Sequence, residues 1–289
     1  NLGQNTSSEK IISLLAIFAA AAFRIMPSIN RIMTSFQSLR FGIASINPIF
    51  KNYNIKKILT IKKKNLDKIS FSKLSFQNIK FEYEKNRKLF NEFNLTIKKN
   101  EKIAIVGKSG SGKTSLLNLI IGFLKPLSGK IYLNNKIFSS KDIFDWQQII
   151  AYMPQKTCLI NDTVLNNIRL DTKVKIDQKK LLKCLKESEL IKDIKSNKIL
   201  LSRKIGEDGV NLSEGQRQRL SLARALYHDR QILILDEATS SLDKMNEKNI
   251  LKTLSKLKNK TIIMVTHNKN NLRFFDKVIE IKNNKFSKV

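Results

Sequence analysis

The stretch Ile103-Ala-Ile-Val-Gly107-Lys-Ser-Gly-Ser-Gly-Lys113-Thr114-Ser-Leu-Leu-Asn-Leu-Ile-Ile121 decides the fold. An apolar run, a loop with the pattern G-x-x-x-x-G-K-[ST] and a second apolar run follow one another, which is the order of a strand, a phosphate-binding loop and a helix. Glycines let the backbone curl so that its N–H groups point at phosphate oxygens, and the helix start adds its positive dipole end. The sequence therefore predicts that a nucleoside triphosphate binds here. The residues predicted to bind it are Gly107, Lys108, Ser109, Gly110, Ser111, Gly112, Lys113, Thr114 and Ser115.

Two side chains of this loop have predicted roles of their own. Lys113 supplies a positive charge for the β- and γ-phosphates, and the hydroxyl of Thr114 is a ligand for Mg²⁺. We therefore expect Mg²⁺ as a cofactor.

Composition limits the class of protein without naming it. The chain has 289 residues, 42% of them hydrophobic, which is enough for one large domain or one domain with an appendage. Its net charge of +30 is compatible with nucleic acid, with an anionic membrane face, or with a coding sequence that favours lysine, asparagine and isoleucine. The lysines are scattered along the whole chain, so we do not expect nucleic acid as a partner. The cysteines, Cys158 and Cys184, fit neither a metal motif nor a disulfide framework.

Residues 11–29 are apolar apart from Arg24 and are long enough for a membrane-spanning helix. A signal peptide and a buried soluble helix are the alternatives. We favour the membrane helix because no basic segment or clear cleavage site flanks the run, and because Ala19–Ala22 has no polar face. Arg31, Arg40 and Lys51 follow it, so the positive-inside rule places its C-terminal side in the cytoplasm. Arg24 either extends to the interface or faces a cavity.

The rest of the chain divides in two. Residues 30–70 contain a helix-compatible stretch, Arg31–Phe41, followed by Gly42, Pro48 and a tract rich in lysine and asparagine, and we interpret them as a cytoplasmic helix extension and a linker. Residues 71–289 alternate strand and helix patterns, which predicts an α/β domain with a parallel sheet.

Further polar residues follow an apolar strand pattern or precede a helix pattern. Asp236 and Glu237 follow Ile232–Leu235; we expect Asp236 to join the Mg²⁺ shell and Glu237 to polarise the attacking water. Ser213 and Gln216 have the spacing of a capping box, and the helix that they begin presents a second anion site.

Taken together with Tyr83, Gln155, Ser240–Asp243 and His267, these segments resemble the ATP-binding cassette (ABC) ATPases over residues 73–289. The resemblance implies a P-loop nucleotide-binding domain with a mixed or parallel sheet core, an antiparallel β subdomain and a helical subdomain. It implies ATP and Mg²⁺ as cofactors. It also implies a second ABC subunit, in a homodimer, so that each ATP lies between one phosphate loop and the partner's signature segment, Leu212–Gln216.

The resemblance also implies individual roles. Tyr83 stacks on adenine, Gln155 senses Mg²⁺ and the transport domain, His267 contacts the γ-phosphate, and Asp243 crosses the dimer interface. Ser213, Gly215 and Gln216 contact the partner's γ-phosphate. The implied catalytic residues are Glu237, His267, Lys113 and Gln155, and the implied metal site contains Thr114, Gln155 and, through water, Asp236.

The signature segment departs from the family pattern at one position. The usual sequence has glycine where this chain has Glu214. An acidic residue suits the first turn of a helix but repels a triphosphate. We expect its side chain to point away and the site to stay competent.

Other segments are similar to ABC exporters, namely the loop Ile205–Gly209 and the run Asn161–Ile168 after Gln155. With residues 1–29 as the last transmembrane helix, the chain resembles the C-terminal part of a half-transporter of the cell (inner) membrane, with its ATPase domain in the cytoplasm. The run Ala21–Ile32 is also similar to exporters of lipid-linked oligosaccharides, in which Arg24 would meet an anionic head group. The expected partners are then a transmembrane domain, membrane lipid and a transported substrate.

Two other functions stay open. A soluble ABC ATPase that acts on nucleic acid or ribosomes agrees with the charge but not with residues 11–29 or the exporter loop 205–209. A regulatory subunit that binds ATP without hydrolysing it disagrees with the presence of Glu237 and His267.

Overall fold

The computed structural model describes the backbone of residues 5–58, 70–83, 88–172, 174–282 and 285–288. The chain separates into two compact units, Asn1–Leu66 and Asp67–Val289.

The described part of the first unit is one long helix, α1 (Asn5–Ile58). Its stretch Lys10–Phe50 contains an 18-residue segment with a mean hydropathy of 1.9 and is long and apolar enough to cross a membrane, by length and composition. Within the described residues it is the only such helix. The apolar side chains of this stretch are exposed, which is what a segment surrounded by lipid requires.

The helix is longer than the helix-compatible stretch Arg31–Phe41, because α1 continues through Pro27, Gly42 and Pro48 to Ile58. A proline removes one backbone donor and crowds the preceding turn, and the turns of α1 on both sides tolerate that local defect. The linker predicted for the end of residues 30–70 falls mostly on residues 59–69, which lie outside the described residues.

The second unit is built on two sheets. The strands are β1 (Lys73–Glu82), β2 (Lys88–Lys98), β3 (Lys102–Gly107), β4 (Ser128–Leu133), β5 (Lys136–Ile137), β6 (Ile150–Met153), β7 (Ile232–Asp236), β8 (Thr261–Val265), β9 (Lys277–Lys282) and β10 (Lys285–Lys288). The helices are α2 (Lys113–Ile121), α3 (Ile143–Gln148), α4 (Val164–Arg169), α5 (Gln178–Glu187), α6 (Leu190–Lys195), α7 (Glu214–Tyr227) and α8 (Lys244–Ser255), with 3₁₀ turns at Glu207–Gly209 and Lys269–Phe274.

The larger sheet has the strand order β10-β9-β3-β8-β7-β6. Strands β9, β3, β8, β7 and β6 pair in parallel, and β10 pairs antiparallel with β9. Every residue of β7 and β8 is buried, as expected for apolar parallel strands covered on both faces. The predicted α/β class with a mixed or parallel core is confirmed.

The smaller sheet, β2-β1-β4-β5, is antiparallel. Its inner face contributes phenylalanines to the core that it shares with the larger sheet; among them, Phe76 lies opposite Leu95 and Phe81 opposite Phe90. The sheet supplies the antiparallel β subdomain that the resemblance implied.

A separate hydrophobic cluster holds the helical subdomain together. Val164, Ile168, Leu185 and Leu220 are among its buried members, so α4, α5 and α7 share one core. Between Thr163 and Ser196 the described residues form three short helices, α4, α5 and α6. Cys184 lies in this core; burial is the main cause that raises the pKa of its thiol to about 12, and both cysteines are free.

Candidate functional site

The phosphate loop connects the end of β3 to the start of α2. Gly112 is the N-cap of α2 and has a left-handed backbone, with φ of 98°. A Cβ atom built on Gly112 would lie 2.9 Å from the ring of Phe90, and one on Gly107 would lie 2.7 Å from the carbonyl oxygen of Ile281. Both positions therefore require glycine, for backbone angle or for close approach.

Lys113 lies against the loop. Its side chain is buried, and Nζ donates to the carbonyl oxygens of Gly107 at 3.1 Å and Lys108 at 2.9 Å. Burial lowers the pKa of Lys113, and the charges of Glu237 and Asp236 act in the opposite direction. The ammonium group is thus held where the loop curls.

Thr114 and Asp236 meet across the site. The Thr114 hydroxyl donates to Oδ2 of Asp236 at 3.0 Å. Asp236 is only 1% exposed, and its burial raises the pKa of the carboxyl group while the bond from Thr114 lowers it. A hydroxyl and a carboxylate are the hard oxygen donors that Mg²⁺ prefers.

Two buried polar atoms of the site are without a hydrogen-bond partner among the described residues: Oδ1 of Asp236 and Oγ of Ser111. Such atoms are costly unless a ligand satisfies them. Their position beside the loop fits a phosphate group and its metal ion.

The ends of three adjacent parallel strands bring the remaining polar residues together. Gln155 follows β6, Glu237 follows β7 and His267 follows β8. Gln155 Nε2 donates to Oε2 of Glu237 at 2.8 Å, and Nε2 of His267 lies 2.7 Å from Oε1 of the same carboxylate. Each oxygen of Glu237 therefore has its own partner, which fixes the orientation of the carboxylate.

Tyr83 lies beside the first turn of α2. Its ring is 53% exposed and packs edge-on against Phe81, and its hydroxyl is 2.9 Å from Oγ of Ser115. Tyr83, Gln155 and Glu237 line a pocket of about 250 Å³ together with the phosphate loop. Leu89 also lines this pocket and was missed by the sequence reasoning, because nothing distinguishes it from other apolar strand residues.

The signature segment begins α7. Ser213 and Gln216 form the predicted capping box: the backbone N–H of Ser213 donates to Oε1 of Gln216 at 2.9 Å, and that of Gln216 donates to Oγ of Ser213 at 3.3 Å. A Cβ atom on Gly215 would lie 3.3 Å from the carbonyl oxygen of Ser241, so the segment lies close to the 240–243 loop. Among the described residues, Ser213, Gly215 and Gln216 do not line the pocket of the phosphate loop.

Glu214 and Asp243 are both exposed. Glu214 lines a surface cavity of about 390 Å³ with Glu207 and Arg217. That the Glu214 side chain points away from a partner's nucleotide stays a prediction. Asp243 is the N-cap of α8 and accepts hydrogen bonds from the backbone N–H groups of Met245 and Asn246, which lower its pKa.

Comparison with known proteins gives the family. The model of the family described as "ABC transporter" matches residues 90–240, more than half of the chain. The chain belongs to this family, as the resemblance had predicted.

Similar proteins come from several bacteria. The chain is 35% identical, over 92% of its length and 36% of the relative's, to a lactococcin-A transport/processing ATP-binding protein of Lactococcus lactis subsp. lactis. It is 32% identical, over 93% of its length and 46% of the relative's, to an ATP-dependent lipid A-core flippase of Pasteurella multocida. The solved structure of a bacterial Atm1-family ABC exporter with ATP bound matches 78% of this chain and 40% of its own, with a TM-score of 0.70 and 24% identity, and shows the shared fold. The chain thus spans less than half the length of these relatives.

Proposed function

We propose that the chain is the ATP-binding and ATP-hydrolysing part of an ABC exporter. The observation that carries this proposal is the position of Glu237: its carboxylate is oriented by Gln155 and His267 and lies beside a phosphate loop with a buried lysine. That arrangement combines a general base with an electrostatic site for a transferring phosphoryl group.

Nucleotide binding uses the phosphate loop, residues 107–115. Backbone N–H groups and Lys113 contact the phosphates, and Tyr83 stacks on the adenine from the rim of the pocket. Thr114, Gln155 and, through water, Asp236 would hold Mg²⁺, which would supply positive charge for the phosphate oxygens. The free oxygen of Asp236 supports this role.

Hydrolysis uses the residues at the strand ends. Glu237 accepts the proton of the water that attacks the γ-phosphate. Gln155 and His267 hold the two carboxylate oxygens in place, and His267 also contacts the γ-phosphate. Because these residues are positioned by the parallel sheet, little reorganisation is needed before the reaction.

Ser213, Gly215 and Gln216 act on the ATP of a second subunit. They lie at a helix start, which favours an anion, and none of them lines the pocket of the phosphate loop in their own chain. A head-to-tail homodimer would bring them to the partner's γ-phosphate, with Asp243 at the interface. A transmembrane domain would transmit the resulting motion to the cargo.

Helix α1 supports a membrane location, since it is long, apolar and exposed. We place it as the last helix of a transmembrane domain in the inner membrane, with the second unit on the cytoplasmic side. The relatives' names describe both lactococcin transport and lipid A-core flipping, so they support an exporter without selecting one cargo.

As the finer hypothesis we propose a lipid-linked saccharide as the cargo. It rests on residues 21–32 and on the exposed Arg24, whose charge matches an anionic head group. Arg24→Ala in the full-length transporter should slow lipid flipping in vesicles while ATP hydrolysis continues. Flipping at the wild-type rate would remove Arg24 and this cargo from the proposal.

The function itself is tested with Glu237→Gln, which keeps a side chain of the same size but not the base. We expect ATP hydrolysis to fall by a factor of at least about 100, while ATP binding is kept and ATP-bound dimers accumulate. The matched control is Glu92→Gln, the same change in an exposed pair with Lys80. Hydrolysis that persists in Glu237→Gln would exclude Glu237 as the base.

A further inference from the structure

Glu247 joins two loops of the site but has no part in the roles proposed above. It lies in the first turn of α8. The Thr239 hydroxyl donates to its Oε1 at 3.0 Å, and Nδ2 of Asn268 donates to its Oε2 at 3.0 Å. Thr239 is two residues from Glu237, and Asn268 is the neighbour of His267. One carboxylate therefore connects the segments that carry the proposed base and its histidine.

The connection is partly shielded from water. Thr239 and Thr266 are buried, while Glu247 and Asn268 are half-buried. Asn268 is held further by its backbone N–H, which donates to the Thr266 hydroxyl at 3.2 Å, and by its Oδ1, which accepts from the backbone N–H of Asn270. Hydrogen bonds to a carboxylate in such surroundings are stronger than those between neutral groups.

The segment that contains Thr239 is also held from the signature helix. Nε2 of the buried Gln218 on α7 donates to Oγ of Ser240 at 3.0 Å and of Ser241 at 3.2 Å, and its Oε1 accepts from the backbone N–H of Ser241. Residues 239–241 thus lie between Gln218 on one side and Glu247 on the other. Two sets of hydrogen bonds, joined by the backbone of residues 239–241, therefore connect the signature helix through Glu247 to the loop of His267.

We propose that Glu247 is a positioning residue for hydrolysis, which holds His267 in the geometry that orients Glu237. The inference rests on the proposed function and deepens it by naming a residue that acts through others. Both oxygens of Glu247 accept, one from the Thr239 hydroxyl and one from the Asn268 amide. A glutamine alone offers one acceptor, so the Thr239 hydroxyl, which can donate or accept, has to reverse its hydrogen bond to keep both partners.

The test uses the 289-residue chain in lipid nanodiscs and begins with the wild type and Glu237→Gln. If the wild type does not hydrolyse ATP, the proposed function fails and not only this inference. If the wild type is active and Glu237→Gln is not, the variants of Glu247 test the inference alone. We expect Glu247→Ala to lower kcat by about 10-fold or more with KM for ATP within about 3-fold, since most of the proposed ATP contacts come from the phosphate loop and Tyr83 and not from His267.

Exchanging the hydrogen-bond donor and acceptor between residues 268 and 247 distinguishes a positioning role from general damage to the structure. Asn268→Asp places two carboxylates face to face and should lower kcat like Glu247→Ala. Combining it with Glu247→Gln restores one donor and one acceptor, and should return kcat to within about 3-fold of the wild type. If Glu247→Ala does not fold, this double variant tests the role of Glu247 in its place. Glu92→Gln is the control with an unchanged kcat.

A second readout does not depend on activity. The chain has two histidines, so selective isotope labelling gives ring signals from His228 and His267 alone. Glu247→Ala should shift or broaden the His267 signal and leave that of His228 unchanged. A kcat within about 2-fold of the wild type in Glu247→Ala, or no recovery in the double exchange, would overturn the inference.

Discussion

Gly110 and Gly112 have left-handed backbones, with φ of 75° and 98°, but different surroundings. No atom lies within 4 Å of a Cβ built on Gly110, whereas one built on Gly112 meets the buried ring of Phe90. The pattern G-x-x-x-x-G-K-[ST] requires glycine at position 112 but not at position 110. It could not predict Phe90, because the contact depends on how β2 packs against the loop.

Gly110→Ala and Gly112→Ala should therefore differ in stability. The strained angle costs about 1–2 kcal/mol in either variant, and the contact with Phe90 should raise the loss in Gly112→Ala to about 2–5 kcal/mol. Denaturant unfolding followed by the fluorescence of Trp146, the single tryptophan and a buried one, measures the difference. Equal losses would mean that Phe90 moves aside at little cost.

At the scale of elements, the strand ends were the most predictable part of the site. The strands β6, β7 and β8 are each followed, within two positions, by a residue that the sequence singled out: Gln155, Glu237 and His267. Their meeting follows from parallel pairing, which brings the carboxyl ends to one edge. The bond between Asn268 and Glu247 was not predictable, because it joins residues 21 apart through the packing of α8.

The helix predicted around residues 31–41 was too short for a different reason. Proline and glycine are valid signals for a helix end in water-soluble segments, and Pro48 with Gly42 suggested one. Each of them disturbs only one turn of a long helix, and α1 continues through both to Ile58.

A histidine at the C-terminal end of α7 predicts how the free energy of unfolding depends on pH. His228 is the C-cap of this helix, and its Nε2 is buried without a partner among the described side chains. Burial lowers the pKa of His228 below its ordinary value of 6.5, and Arg230 and Arg224 lower it further. His228 therefore binds a proton more readily in the unfolded chain than in the folded one. The free energy of unfolding should fall as the pH drops below about 6.5.

His228→Gln should remove this part of the pH dependence. Because the ring is only partly buried, we expect a slope well below the limit of about 1.4 kcal/mol per pH unit. Unfolding curves at pH 7.5, 6.5 and 5.5 for the wild type and the variant provide the measurement. A constant difference between the two proteins at all three values would contradict the role of His228.

At the scale of the whole molecule, the sequence motifs predicted that two chains together form each ATP site. The phosphate loop and the signature segment both belong to the proposed reaction, but the signature residues do not line the pocket of their own chain. The family explains this separation only if a second copy completes the site. Neither the cargo nor the arrangement of the two units follows from local patterns, because both depend on surfaces that no single motif describes.

Dilution tests the proposed dimer. Hydrolysis per molecule should fall as the concentration decreases below the dissociation constant of the dimer, while ATP binding per molecule stays constant. Activity and a fluorescent ATP analogue, measured over the same dilution series in detergent, give both quantities. Specific activity that stays constant where only monomer exists would show that one chain is sufficient.

The hydrogen bonds of Lys113 to the carbonyl oxygens of Gly107 and Lys108 have a kinetic consequence. These bonds are made within the protein and hold the loop in its curled shape, so that shape does not depend on an incoming nucleotide. The entropy of ordering the loop is then lost during folding and not during association. We expect ATP to be captured in a single fast phase whose rate increases linearly with ATP concentration, without the plateau that a slow rearrangement would impose.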